Sequence, residues 1–287
     1  MVGARGKAPA FVKGSAYHTR NPVSQVVERD AEFEALLEKA VFDDQARRDE
    51  EWAEKKRQEG SDPGAREKMR ASEVGYAIGD SGCGRRIWYD FHNAPREPTT
   101  MEQRINMAVS GIAANWIANV LARSDRVRKV EFTMDFDPFP VSGRLDVLCD
   151  PATKRVLEIK AVTTEQFGYL PKQEHFDQAT LYTWALRHAA VTERAEPEYR
   201  AYTPSLLYIA RNARKGQPTH EAYAIPYSEP RALWLLNELT KVRTIAVGEK
   251  MPDRPKGFAR SDYPCAYCPF KFHCWSGQEK LAFGTPA

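Results

Sequence analysis

The chain has 287 residues, 42% hydrophobic and 28% charged, the make-up of one large or two small globular domains. No run approaches the roughly 18 apolar residues of a membrane span. The opening MVGARGKAPAFVKGSAYHTR has no apolar stretch of the export-signal kind, so a reducing cytoplasm is the expected compartment.

The net charge of +3 is unevenly spread: residues 28–59 hold 12 acids and 7 bases, which leaves a basic remainder suited to a polyanion. Residues 1–27 mix Gly, Pro, Ser and bases without periodicity and read as a flexible arm. Residues 28–71 read as a charged helical extension. Phe33, Leu36, Leu37, Ala40 and Val41 recur at helical spacing there, and Gly60 to Gly64 ends the pattern. Its expected role is either a solvated helix or a docking arm for DNA or a recombination or replication protein. Residues 72–287 form the main domain. Cys83 stands just before a helix start, and a helix is expected over 101–122. VRKVEFTMDF is a strand stopped at Asp137-Pro138, and residues 142–162 form a hairpin. A helix follows at about 173–190, then the strand YTPSLLYIAR. The next helix starts near Glu229 with Leu233, Leu236 and Leu239 on a stripe. This order predicts an α/β domain with a mixed central sheet flanked by helices. Cys149, beside strand residues Val147 and Leu148, reads as a small buried hydrophobe.

The hairpin carries the densest chemistry. Its turn, Asp150 to Lys154, is rich in turn formers. Closed symmetrically about Ala152, it sets Asp146 opposite Glu158, with Cβ atoms about 4.5–5.5 Å apart. Two carboxylates that close repel unless a cation lies between them, and oxygen donors suit Mg²⁺ or Mn²⁺. Strand alternation puts Lys160 on the face of Glu158 and turns Ile159 into the core. The plainer alternative is a surface salt bridge.

Gly143-Arg144-Leu145-Asp146 followed by Glu158-Ile159-Lys160 resembles the nuclease motif of the PD-(D/E)XK superfamily. Gln178 and Tyr182, in EHFDQATLYTWAL, resemble the Q-x3-Y motif of its RecB-type branch, with His175 one turn earlier on the same helix. The resemblance implies a restriction-endonuclease-like core. It also implies metal held by Asp146, Glu158 and the carbonyl of Ile159, with Lys160, Gln178 and Tyr182 in the catalytic group. The family often has G-x3-H on a preceding helix; here Gly111 is followed by Asn115, which can bind metal through its carbonyl oxygen but cannot titrate.

Cys265-x2-Cys268-x5-Cys274 lies near the C-terminus, with Cys83 far upstream. Four thiolates serve zinc or an iron–sulfur cluster. One cysteine before the nuclease motifs and three after them resembles the iron–sulfur exonucleases of the AddB type and the fourth CRISPR-associated protein. That resemblance implies a 4Fe–4S cluster joining the N- and C-terminal segments of the domain. Stand-alone proteins of this kind occur in bacteriophages, which would make the compartment the host cytoplasm. The expected function is a metal-dependent DNA exonuclease on single-stranded or frayed ends. The competing readings are a non-catalytic nucleic-acid-binding module and a DNA-capture accessory. Arg85, Arg86, Arg144, Arg211, Arg214 and Lys215 are candidate phosphate contacts, and Tyr169, Tyr182 and Trp184 candidate stacking rings, with core packing the alternative for Trp184.

Overall fold

The computed structural model describes residues 67–78, 82–248 and most of 250–275, with parts of 43–58. The flexible arm and the stripe from Phe33 to Val41 lie outside the described residues. Within 43–58 the described residues are helical and mostly exposed. Among the described residues no helix is long and apolar enough to cross a membrane.

Six strands make one mixed sheet: β1 (Met69–Arg70), β2 (Val127–Asp135), β3 (Val141–Cys149), β4 (Arg155–Val162), β5 (Thr203–Ala210) and β6 (His220–Ala224). β3 is its hub. β2 runs antiparallel along one edge, from Val127 opposite Cys149 to Asp135 opposite Ser142. The other edge is shared. β1 pairs in parallel with Val141 and Ser142, while β4 pairs antiparallel with Val147 and Leu148. Val147 faces Leu157 and Leu148 faces Val156, the register expected from a turn centred on Ala152. β4 then runs parallel to β5 over its whole length, and β5 antiparallel to β6. The sequence reading did not include β1 or β6. A two-residue strand has no period to read, and β6 carries only one half-buried alternation.

The helices are α1 (Val74–Ala77), α2 (Gly84–Phe91), α3 (Met101–Leu121), α4 (Gln173–Val191), α5 (Glu229–Ala246) and α6 (Lys271–Trp275). α3 starts at a reciprocal cap: Thr100 Oγ1 accepts from Gln103 N, and the Gln103 side chain accepts from Thr100 N. Ala113, Ala114, Ile117 and Ala118 of α3 pack on Val147, Ile159 and Ile209, so α3 covers one sheet face. α4 packs on β4, β5 and α5, and its middle, Asp177 to Leu186, is buried on all sides. The buried stripe of α5 is Ala232, Leu235, Leu236 and Leu239. This corrects the expected stripe: Leu233 is exposed, because the apolar face follows i, i+3, i+4, i+7 from Ala232.

Candidate active site

The two partners on one edge of β3 leave a gap. β1 ends opposite Ser142 and the pairing with β4 starts only at Val147 along β3, and the residues between carry Gly143 and Asp146. Tyr182 fills the space at Gly143. A Cβ added there would stand 2.5 Å from Tyr182 Cε1 and 3.2 Å from Ala71 Cβ, inside contact distance, so only glycine admits the ring. Asp146 Oδ2 accepts from the Ile159 amide at 2.7 Å. The ladder is thus continued by a side chain where its backbone pairs stop.

This clasp sets the two carboxylates level. Glu158 is 3% exposed. Its Oε1 accepts from Lys160 Nζ at 2.6 Å, while its Oε2 is buried without a hydrogen-bond partner. Burial above all, then the charge of Asp146, pushes the Glu158 carboxyl up to about 7 against the pull of Lys160. Burial also raises Asp146; the Ile159 amide, Lys160 and Arg144 offset part of it. Among the described residues Glu158 Oε2 has no hydrogen-bond donor and lies near the Asp146 carboxyl, a pair of acids that a bound cation would stabilise in the charged form. The donor set fits a hard divalent ion, with water or substrate completing its shell.

Lys160 is held from a second side. Its Nζ donates to Gln178 Oε1 at 2.8 Å, and Gln178 Nε2 donates to Tyr182 Oη at 3.2 Å. The five expected catalytic side chains therefore meet: two strands supply Asp146, Glu158 and Lys160, and one face of α4 supplies Gln178 and Tyr182. Burial, then the Glu158 charge, raises the Tyr182 phenol and keeps it protonated. Next to Gln178, Asp177 takes a forked ion pair from Arg231 at 3.0 and 2.7 Å, which locks α4 to α5. Sequence reading passed over Tyr208. Its hydroxyl accepts from Lys172 N at 3.2 Å and lies 2.9 Å from His175 Nδ1. Burial, then Lys160 and Lys172, lower His175 to about 3, so the ring is neutral.

Other expected residues lie elsewhere. Asn115 is exposed on α3, and among the described residues no hydrogen bond ties it to the acids. Ile159 is buried under α3. Trp184 is core, stacked on His188 and edge-on to Phe139, and Tyr182 is 2% exposed, so neither ring offers a face to a base. Tyr169, 80% exposed, does. Arg85 is buried, bonded to the Pro252 carbonyl at 2.8 Å and 3.9 Å from Cys274 Sγ, which removes it from the phosphate contacts. Arg211 reaches the Asn106 carbonyl and Ser110 Oγ on α3, while Arg214 and Lys215 are exposed.

The four expected cysteine ligands line one cavity, together with Arg85 and Arg86. Cys83 precedes the first turn of α2, and the C-terminal turn brings the Cys268 amide to the Cys265 carbonyl at 3.1 Å. Phe270, fully buried, packs on Tyr89 with ring centroids 5.3 Å apart. The Glu97 amide donates to the Pro269 carbonyl at 2.6 Å. Burial foremost pushes the Cys268 thiol up to about 11 and raises Cys83. Among the described residues no three His, Cys, Asp or Glu side chains converge closely enough to hold a single metal ion; the cysteines ring a space instead. Cys149 is buried with Val147 and Ile159.

A family model described as the PD-(D/E)XK nuclease superfamily matches residues 14–275. Among curated proteins none matches. Among solved structures, the protein SSO0001 is similar at 17% identity and a TM-score of 0.46, over 73% of this chain and 86% of that one. An alkaline exonuclease, LHK-Exo, from Laribacter hongkongensis is similar at 13% identity and a TM-score of 0.42, over 62% and 87%. A phage-related exonuclease from Haemophilus somnus 129PT follows at 10% and 0.32, over 61% and 92%. These structural likenesses are too distant to bear on chemistry.

Proposed function

The chain belongs to the PD-(D/E)XK nuclease superfamily, and from its site we propose that it is a Mg²⁺- or Mn²⁺-dependent DNA exonuclease acting on single-stranded or frayed ends. The observation that carries this reading is Glu158 Oε2, buried beside Asp146 without a partner, with Lys160 fixed at its side. Asp146 and Glu158 would hold the ion, with the main-chain carbonyl of Ile159 as the further expected ligand; Asn115, exposed on α3, is not part of this set. When bound, the ion supplies an activated water and offsets charge on the phosphate. Lys160 brings a positive charge against the phosphoryl oxygens where negative charge builds. Gln178 keeps the ammonium aimed, and Tyr182 keeps Gln178 in one orientation. Arg214 and Lys215 are exposed candidates for phosphate contact, as is Arg144, which pairs with Glu131 at 3.5 Å on the surface, and Tyr169 is an exposed candidate to stack on a base.

The same reading assigns the cysteine cavity a 4Fe–4S cluster. The support for it is that the four cysteines line one cavity and that their spacing resembles the iron–sulfur exonucleases, with Arg85 and Arg86 in the wall to offset thiolate charge. Its role is to staple the ends of the domain. The setting is DNA recombination, repair or phage DNA metabolism in the cytoplasm.

The test is anaerobic purification, iron and sulfide analysis, then digestion of 5′- and 3′-labelled single- and double-stranded DNA with Mg²⁺ or Mn²⁺. Progressive shortening from an end, lost in Glu158→Gln, supports the reading. An iron-loaded chain that binds DNA but leaves it intact with either ion refutes it in favour of a non-catalytic module.

A further inference from the structure

One face of α3 has no partner among the described residues. Ala113, Ala114, Ile117 and Ala118 bury against the sheet, yet the outer side is apolar as well. Ile105, Val109, Ile112, Trp116 and Val120 are exposed, with Ile112 at 69% and Trp116 at 64%. These positions advance by three and four residues and form one continuous stripe. A helix apolar on both sides is a buried helix in water, and a stripe of large side chains this long marks a surface that another element covers.

Three observations identify the cover. The first is pattern: Phe33, Leu36, Leu37, Ala40 and Val41 form a second apolar stripe at helical spacing, long enough to cover the middle of the exposed stripe around Ile112 and Trp116. The second is charge. Residues 28–41 hold five acids and two bases. α3 itself has one acid and one base, and at its N-terminal half it is bordered by Arg211, which bonds to Asn106 and Ser110. Arg211 leads into a loop with Arg214 and Lys215 and no acid over 211–215. An acidic segment on a neutral helix is not repelled by it and is attracted by the basic border. The third is reach. The chain from Val41 to Glu67, even with 43–58 helical, spans on the order of 50 Å, about the diameter of a domain this size.

We propose that residues 28–41 dock on the outer face of α3 as an amphipathic helix, with Leu36 and Leu37 against Ile112 and Trp116. The docking is of one segment of the chain on its own domain. It stands apart from the reading of the site as a nuclease, because none of these residues belongs to the carboxylate–lysine group.

Hydrogen–deuterium exchange on the full-length protein tests it, read on peptides covering 28–41. Wild type is expected to exchange there at least about 10-fold more slowly than Leu36→Asp/Leu37→Asp and than Ile112→Asp/Trp116→Asp. In both variants, wild-type protection of peptides from the buried middle of α4 confirms that the domain is folded. Exchange in wild type at the rate of an unstructured peptide overturns the proposal. So does protection that survives both variants. Concentration-dependent self-association in sedimentation, abolished by Ile112→Asp/Trp116→Asp while 28–41 stays unprotected, also overturns it and identifies a second copy as the occupant.

Discussion

The carboxylate–lysine group and the cysteine cavity are built in opposite ways. The first is assembled by neighbours: a hairpin register sets Asp146 level with Glu158, and one turn of α4 supplies Gln178 and Tyr182. Each hydrogen bond there constrains the next, from Tyr182 through Gln178 and Lys160 to Glu158. The second joins chain ends: Cys83 before α2 and three cysteines around α6 meet because Phe270 and Tyr89 pack. The carboxylate–lysine group is thus a polar network set into a rigid core. The cavity is a set of thiols beside cationic side chains, held by packing and by a few hydrogen bonds to the backbone. A polar network is sensitive to single atoms, whereas a packed junction is sensitive to volume.

The largest expected effect strikes the junction. Phe270→Ala removes a fully buried ring, costs about 3–5 kcal/mol and loosens the three C-terminal cysteines. Iron content and the unfolding midpoint should fall together; bound iron at the wild-type level in a destabilised chain would mean that the thiols meet without this packing.

Next comes the network. Lys160→Ala should slow cleavage by about 10²–10³-fold with iron content unchanged, since the lysine touches no cysteine. Glu158 also gives the chain a pH signature. Folded, it keeps its proton up to about pH 7, while unfolded it ionises near 4.5. The folded state binds the extra proton between these values, so the metal-free protein loses stability as pH rises from about 4.5 to about 7 and levels off above. Mg²⁺ should raise the unfolding temperature more at pH 8 than at pH 5. Glu158→Gln should flatten the slope and remove the Mg²⁺ response. A slope unchanged in that variant would place the titrating group elsewhere.

Gly143→Ala forces a methyl against Tyr182 and should cost about 1–3 kcal/mol, measured by denaturant midpoint, with cleavage reduced because Gln178 shifts with the ring. Tyr182→Phe is the smallest change. It removes the acceptor for Gln178 Nε2, costs about 0.5–1.5 kcal/mol and should lower the cleavage rate while leaving substrate affinity unchanged. A variant that alters affinity instead would make Tyr182 a substrate contact.

Much of this was legible before any tertiary contact. The hairpin register followed from a turn centred on Ala152, because strand pairing on either side of a short turn admits few alternatives. The face shared by Glu158 and Lys160 followed from the two-residue period, and that of Gln178 and Tyr182 from helical spacing. The cysteine spacing grouped Cys83, Cys265, Cys268 and Cys274, which line one cavity in the structure. Local periodicity determines such things because it depends only on backbone geometry.

Tertiary structure decided what periodicity does not encode. It turned Gln178 toward Lys160, buried Tyr182 and Trp184 out of reach of a base, and drew Arg85 to the cysteines. It brought β1 to the edge of β3, which opened the gap that Gly143 and Tyr182 fill, and it paired Tyr208 with His175. Each of these depends on which surfaces meet across elements distant in sequence, and a side chain's role there is set by the volume and charge it encounters. The sequence by itself determined the chemical groups and their local faces; packing determined which group each one touches.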